Sequence, residues 1–571
     1  LQRRDRQLFL LISVNPLRMN LPLRPLLVGT AAFIGSICFA AEPSAPAIRL
    51  NTLGYLPDAP KHATVAGKVS AFSVLRVPGG ESVFTGKLSG SRHDADTNED
   101  VRDADFSALQ TPGEYRLVVE GAGESAPFKI AGDLYREPLF LVTRAMYLWR
   151  CGVAVDGTWR GVRFHHDACH LQDAWLDVVN GKHEQLPSTG GWHDAGDYNK
   201  YIVNAGITVG AMLRAWEDFP TLRSLHLDIP ESGRALPDYL AEIKFEVDWL
   251  LTMQAPDGSA YWKVSTERFG AFVLPEKETT PRYVCPWGSA ATADFVAMLA
   301  QAERAFRPYA PEYADRCLAA ARKSYAFLRA NPEDHAADQA KFRTGGYTTK
   351  DDDDRLWAAA EMWAATGDAS CLTDVETRIR AMSPQFDENF DWSEVKNLGL
   401  LTYLSTRREG RDSALVESVA KNLAQTADHI VTKARAHLYA RPLGDVYYWG
   451  GNGGVARQTL LLHAAFRQTG HSVYRDTALD AVNHLFGRNV HGRSYVTGLG
   501  AMPPLNPHDR RSGGDDVEQP WPGYLVGGPH PTARDWHDVL PDASTNEIAI
   551  NWNAALIYAL AEFLPADSAA Q

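Results

Sequence analysis

The chain changes texture once along its length, and that change limits what it can fold into. From about Ile48 to Ile130, apolar and polar residues alternate in short runs such as Tyr115-Arg116-Leu117-Val118-Val119, separated by Gly and Pro turns. A period of two belongs to strands with one face buried. From about Leu134 the chain turns into Ala- and Leu-rich segments with helical spacing and almost no strand signal. Twelve such segments lie near 137–151, 202–217, 235–254, 289–306, 312–329, 355–366, 371–382, 395–406, 411–432, 454–468, 472–486 and 547–563. Joined by alternating short and long loops, they predict a mainly α chain: a small all-β sandwich over 47–132, then an (α/α)6 barrel over 134–566, with long loops building a site at one end. The longest loop, about Gly487 to Ser544, is rich in Gly, Pro, His and Arg. Loops of that length inside a compact domain are usually functional.

With 571 residues the chain exceeds one hydrophobic core. Its net charge of -13 at 22% charged residues provides none of the basic excess that draws proteins to nucleic acid or anionic membranes. Neutral or cationic ligands suit it better, and 15 Trp and 21 Tyr supply flat faces for a ligand. Met19 opens a short basic start, an apolar run from about Leu26 to Phe39, and small residues at Ala40 and Ala41. Residues 1–41 therefore read as an upstream extension plus a secretory signal peptide, too short to span a membrane. A secreted or periplasmic monomer without membrane attachment is expected. Once Cys38 is removed, Cys151, Cys169, Cys285, Cys317 and Cys371 remain. An odd number in an oxidising compartment cannot pair completely, so metal ligation becomes an explanation for some.

Gly190-Gly191-Trp192-His193-Asp194-Ala195-Gly196-Asp197-Tyr198 sets two carboxylates three residues apart, just before a helical segment. Such a turn can hold and deprotonate a water; equally, Asp194 or Asp197 could cap the helix that follows. Glu547, in Thr545-Asn546-Glu547-Ile548-Ala549-Ile550-Asn551-Trp552-Asn553, stands at a loop-to-helix junction, where it could act as a distant acid or merely complement a helix dipole. Between them lie Gly487-Arg488-Asn489, Ser494-Tyr495-Val496-Thr497-Gly498 and Asn506-Pro507-His508-Asp509-Arg510.

Taken together and in this order, these motifs closely resemble glycoside hydrolase family nine, the inverting cellulases, over the whole helical region. The residues before it are similar to the immunoglobulin-like module of one branch of that family. The resemblance implies an endo-β-1,4-glucanase acting on cellulose or a related β-glucan, with Asp197 as general base, Asp194 orienting the same water and Glu547 as general acid. It also implies sugar contacts at His508 and Arg510. The alternatives are an exo-acting relative, such as a β-glucosidase, cellobiohydrolase or glucosaminidase, and a non-catalytic carbohydrate-binding protein. An acid working near neutral pH needs a raised pKa, from apolar walls such as Trp552 and from the aspartates' negative field.

Cys151, Cys169, His170 and His193 offer two thiolates and two imidazoles, a tetrahedral zinc set with no open position and so a structural site. The zinc-containing branch of the family looks the same at these positions. His165 and His166 are rival ligands, and buried free thiols with surface histidines are the plain alternative. Asp353 and Asp354, after Thr344-Gly345-Gly346-Tyr347, resemble a calcium-binding loop, although Arg355 follows where an acidic or aromatic residue is usual; four acids at 351–354 could equally be a solvated helix start. No organic cofactor is expected. Candidate sugar-stacking aromatics are Trp262, Trp287, Trp449 and Trp552; Trp262 stands where relatives often have His, and Trp552 where some have Tyr.

Overall fold

The computed structural model describes residues 45–565, so the expected leader at 1–41 lies outside the described residues. Ten strands form the N-terminal sandwich. One sheet runs in the order β1 (Ile48–Arg49), β3 (His62–Ala66), β7 (Glu99–Asp105), β6 (Arg92–Asp94). The other runs β2 (Gly54–Tyr55), β10 (Phe128–Ile130), β8 (Gly113–Val119), β4 (Ala71–Val77), β5 (Ser82–Lys87), with β9 (Gly123–Glu124) beside β8. Alternation decides the faces: Tyr115, Leu117 and Val119 of β8 are buried, as are Phe72 and Val74 of β4, and they meet Tyr55, Phe106 and Phe128 in one core.

Among the described residues there are twelve helices of ten residues or more. They are α1 (Arg136–Leu148), α2 (Ile202–Asp218), α3 (Asp238–Thr252), α4 (Ser289–Phe306), α5 (Pro311–Ala330), α6 (Asp352–Thr366), α7 (Ala369–Ala381), α8 (Lys396–Ser405), α9 (Ser413–Ala436), α10 (Gly451–Thr469), α11 (Ser472–Leu485) and α12 (Ile550–Ala561). Even-numbered helices form the inner ring. α12 packs on α2 and α10, and α4 packs on α2 and α6. Their sequences fit that place, since every residue of α12 is buried and nearly every residue of α2 and α4. Odd-numbered helices lie outside. α9 is representative: Leu415, Val419, Leu423, Ala427, Ile430 and Ala434 make a single apolar stripe, and Asp412 caps its start by accepting from the Ala414 and Leu415 amides. All twelve periodic segments of the sequence thus become helices, alternating outer and inner.

Three minor strands, β13 (Lys200–Tyr201), β14 (Lys263–Ser265) and β15 (Tyr283–Val284), form a small antiparallel sheet, after the hairpin of β11 (Val155–Trp159) and β12 (Val162–His166). The sandwich is joined to the barrel through polar contacts. Asn51 donates to Asn483 at 2.9 Å, the Thr52 amide donates to the Phe486 carbonyl at 3.0 Å, and Arg488 pairs with Asp103 at 2.9 Å. No helix among the described residues is long and apolar enough to cross a membrane.

Candidate active site

Five segments leading into inner helices converge on one cavity of about 650 Å³. Tyr201 precedes α2, Tyr347 precedes α6, Asp391 and Trp392 precede α8, Trp449 precedes α10 and Glu547 precedes α12. Asp194, Asp197, His508, Arg510 and Trp552 line the same cavity. Neither aspartate caps a helix. α2 begins only at Ile202, after an extended Tyr201, with no side chain bonded to its first amides.

Asp194 is held at both oxygens. Asn204 of α2 donates to Oδ1 at 2.7 Å, and the Tyr347 hydroxyl donates to Oδ2 at 2.6 Å. Asp197 Oδ2 accepts from the Asn199 side-chain amide at 2.5 Å and the Tyr201 hydroxyl at 3.3 Å. Burial, the dominant cause, raises both carboxyls; the charge of Asp197 adds to the effect at Asp194, whereas Arg510 and Asn199 oppose it at Asp197. Glu547 is extended, not helical, and its residue bridges to His508 in a short parallel pairing. It is open to the cleft but otherwise enclosed. That enclosure, then the negative charges of Asp197 and Asp194, push its carboxyl up to about 8. It therefore carries a proton at neutral pH.

His508 Nδ1 lies 2.8 Å from the Leu540 carbonyl, leaving Nε2 to the cleft if Nδ1 carries the proton. Arg510 donates to the carbonyls of Gly196 and Gly270 at 2.8 and 3.2 Å, and its guanidinium lies against Phe269 and Phe272. Both residues thus cap loop carbonyls and line the cavity at once. Trp449 is 49% exposed at the cleft, while Trp552 offers only an edge because Gly450 and Gly453 pack against its ring. Trp262 is a correction. It is buried, does not line the cavity, and donates to the Gly346 carbonyl at 2.9 Å, so it anchors a loop instead of facing sugar. Trp287 also lies elsewhere, stacked on His335. Sequence reasoning missed Tyr201, Phe269, Asp391 and Trp392, and it placed Tyr347 only in a cation loop; for Tyr201, Tyr347 and Trp392 the available signal was an aromatic residue just ahead of an inner helix, and Phe269 and Asp391 carry no such signal.

Behind the Asp194 turn, one ligand atom each from Cys151, Cys169, His170 and His193 gather within 4.8 Å of one another. The Cys151 sulfur is 3.7 Å from His170 Nδ1, and the Cys169 sulfur is 3.8 Å from His193 Nε2. Tetrahedral zinc, with bonds of ~2.3 Å to sulfur and ~2.05 Å to nitrogen, sets those atoms about 3.6 Å apart. The donor set therefore fits a metal ion. Burial opposes ionisation of Cys151, but Cys169, Lys200, Arg282 and His193 bring its thiol well below its ordinary value. Glu278 contacts the far nitrogen of His170 at 3.3 Å, the usual outer partner of a ligating imidazole. All five described cysteines are free. His165 and His166 stay out of the cluster, their Nδ1 atoms facing the carbonyls of Val155 and Asp167. This is the single group of three or more metal-ligand side chains gathered in this way among the described residues. Asp353 instead accepts from the Val395 amide, and Asp354 is buried beside Asp294.

Residues 135–560 match the model of glycosyl hydrolase family 9. The chain belongs to glycosyl hydrolase family 9. It is a glycoside hydrolase, and residues 43–124 match the cellulase N-terminal ig-like domain. The family 9 chain is 52% identical over 526 residues to Endoglucanase D of Acetivibrio thermocellus, covering 91% of this chain and 81% of that one. It is 36% identical to the xyloglucan-specific endo-beta-1,4-glucanase BoGH9A of Bacteroides ovatus, covering 91% and 94%. Among solved structures, a Zn-binding triple mutant of family 9 endoglucanase J30 superposes with a TM-score of 0.83 at 34% identity, covering 89% of this chain and 99% of that one.

Proposed function

We propose that this family 9 hydrolase is a secreted endo-β-1,4-glucanase that cleaves cellulose or a related β-glucan with inversion at the anomeric carbon. One observation carries the reading: Glu547, whose enclosed carboxyl is pushed up to about 8, and the Asp194–Asp197 pair line a single aromatic-walled cleft. Glu547 donates its proton to the leaving glycosidic oxygen as the bond breaks. Asp197, whose negative form is favoured by Arg510 and Asn199, takes a proton from the water that attacks the opposite face of the sugar. Asp194, fixed at both oxygens by Asn204 and Tyr347, orients that water. His508 and Arg510 contact sugar hydroxyls, while Trp449 and Phe269 present exposed ring faces at the rim.

Zinc suits the Cys151–Cys169–His170–His193 cluster. Four protein ligands leave no open position, so the ion supplies rigidity and no chemistry. His193 directly precedes Asp194, and the Asp194 carbonyl receives the Ile550 amide at 2.9 Å, so a fixed cluster steadies the base-bearing turn against the Glu547 segment. A calcium ion at Asp353 and Asp354 would have to replace the Val395 amide at Asp353 and the contact of Asp354 with Asp294.

Hydrolysis of cellopentaose, followed by proton NMR of the newly formed reducing ends and chromatography of product lengths, tests the reading. Newly formed α-anomer, absent with Glu547→Gln, is expected. New β-anomer refutes inversion, and release of one unit from one chain end only refutes endo action.

A further inference from the structure

Lys263 is buried, yet among the described residues its ammonium meets a carbonyl, a hydroxyl and two rings and no carboxylate. Its nitrogen donates to the Gly345 carbonyl at 2.7 Å, with the Thr344 hydroxyl at 3.4 Å, and lies over the rings of Phe342 and Tyr201 at 4.7 and 5.4 Å. The register of the small sheet pairs Lys263 directly with Tyr201. An ammonium out of water is costly unless negative potential compensates it. Here that potential comes from Asp197 beyond the Tyr201 ring, since the Tyr201 hydroxyl bonds Asp197 Oδ2. The other titratable group facing Lys263 is the Cys285 thiol, from the strand neighbourhood on its far side. Burial lowers the lysine to about 8, and Cys285 and Asp197 pull against that, so it is charged at neutral pH.

We propose that Lys263 is a positioning residue for the hydrolysis, acting from one layer behind the cleft: through Tyr201 its charge adds to that of Arg510 in favouring ionised Asp197, against burial and the negative charge of Glu278, and its donors pin the loop that brings Tyr347 onto Asp194. Two tyrosines carry its influence to the two aspartates. Trp262, its neighbour, secures the same loop at Gly346, and Ser265 does so at Thr344. The three residues act as one clamp, in which only Lys263 carries charge.

The test rests on the reading of Asp197 as base and is arranged to separate the two claims. The pH dependence of kcat/KM on a soluble β-glucan is measured for wild type, Lys263→Gln, Lys263→Arg and Asp197→Asn. Lys263→Gln keeps a donor but loses the charge, so its acid limb is expected to move up by about one pH unit while the alkaline limb stays in place. Lys263→Arg retains the wild-type acid limb. A rate that falls equally at every pH in Lys263→Gln, or an acid limb that moves equally in Lys263→Arg, overturns the proposal and leaves a purely structural clamp. Full turnover by Asp197→Asn instead overturns the base assignment. Lys263→Met, apolar and of similar length, takes the place of Lys263→Gln if the latter does not fold, with the same expected shift.

Discussion

Gly196 and His508 meet backbone to backbone: a β-carbon on Gly196 would lie 2.0 Å from the His508 carbonyl oxygen. No side chain fits there. The contact joins the turn carrying Asp194 and Asp197 to the segment that bridges to Glu547, since the Arg510 amide donates to the Gly196 carbonyl and the His508 amide to the Asn546 carbonyl. Asp197 and Glu547, the proposed base and acid, are distant in sequence and spaced by this contact.

Gly196→Ala must therefore drive the two segments apart. Overpacking of this kind costs about 1–3 kcal/mol of stability. Turnover is expected to fall far more than stability, by roughly 100-fold, because small errors of placement at reacting groups are costly. Thermal unfolding and kcat measured on the same preparation check the difference; equal wild-type kcat contradicts it.

Tyr347 is the second point of control. Its hydroxyl is a short, buried donor to Asp194, and its ring is held by Tyr201 at 4.9 Å and Trp392 at 5.1 Å. Tyr347→Phe keeps the packing and removes the donor. An intramolecular hydrogen bond contributes about 0.5–1.5 kcal/mol, so kcat is expected to drop roughly 2- to 10-fold with little change in KM. Steady-state kinetics on cello-oligosaccharides distinguish this from a loss of sugar binding, which would raise KM.

The fold was largely legible because helical periodicity in long Ala- and Leu-rich segments survives without tertiary information. Where the boundaries drifted, local chemistry explains it. α6 starts at Asp352, three residues before its periodic signal, because the acids at 352–354 form its first turn. α10 starts at Gly451, inside glycines that read as loop; Gly453 is glycine because its helix face lies against the Trp552 ring. The carboxylates of the site were legible as motifs. Tyr347 and Lys263 were not, since their roles depend on which loop crosses which strand. Trp262 was misread as a sugar platform because sequence does not say whether a Trp beside a strand faces the cleft or the loop behind it.

Glu547 predicts a pH signature in both activity and stability. As the proposed acid it must be protonated, so kcat is expected to fall as pH rises through about 8, and that limb is lost in Glu547→Gln along with turnover. For stability the sign follows from linkage. The carboxyl binds its proton more tightly folded than unfolded, so its contribution is fully present below the unfolded value near 4.5 and is lost as pH rises through 8. Glu547→Gln should therefore gain in Tm relative to wild type between pH 5 and pH 8. Calorimetry at the two pH values checks this, and a constant difference contradicts it.

The Cys/His cluster makes the last prediction. Cys169 accepts the Gly152 amide at 3.4 Å and is buried, so serine in its place preserves shape and polarity while losing the soft thiolate. Elemental analysis is expected to find one zinc ion per wild-type chain, and Cys169→Ser to lose it and to melt lower by on the order of 10 °C. Chelation of the wild-type enzyme with 1,10-phenanthroline should reproduce that shift, whereas a calcium-selective chelator should not. Activity should follow stability, because the cluster touches the reaction only through the turn it steadies. At temperatures well below the melting point the variant therefore keeps a substantial fraction of its kcat; an immediate total loss of activity on zinc removal from still-folded enzyme would place the ion in the chemistry itself.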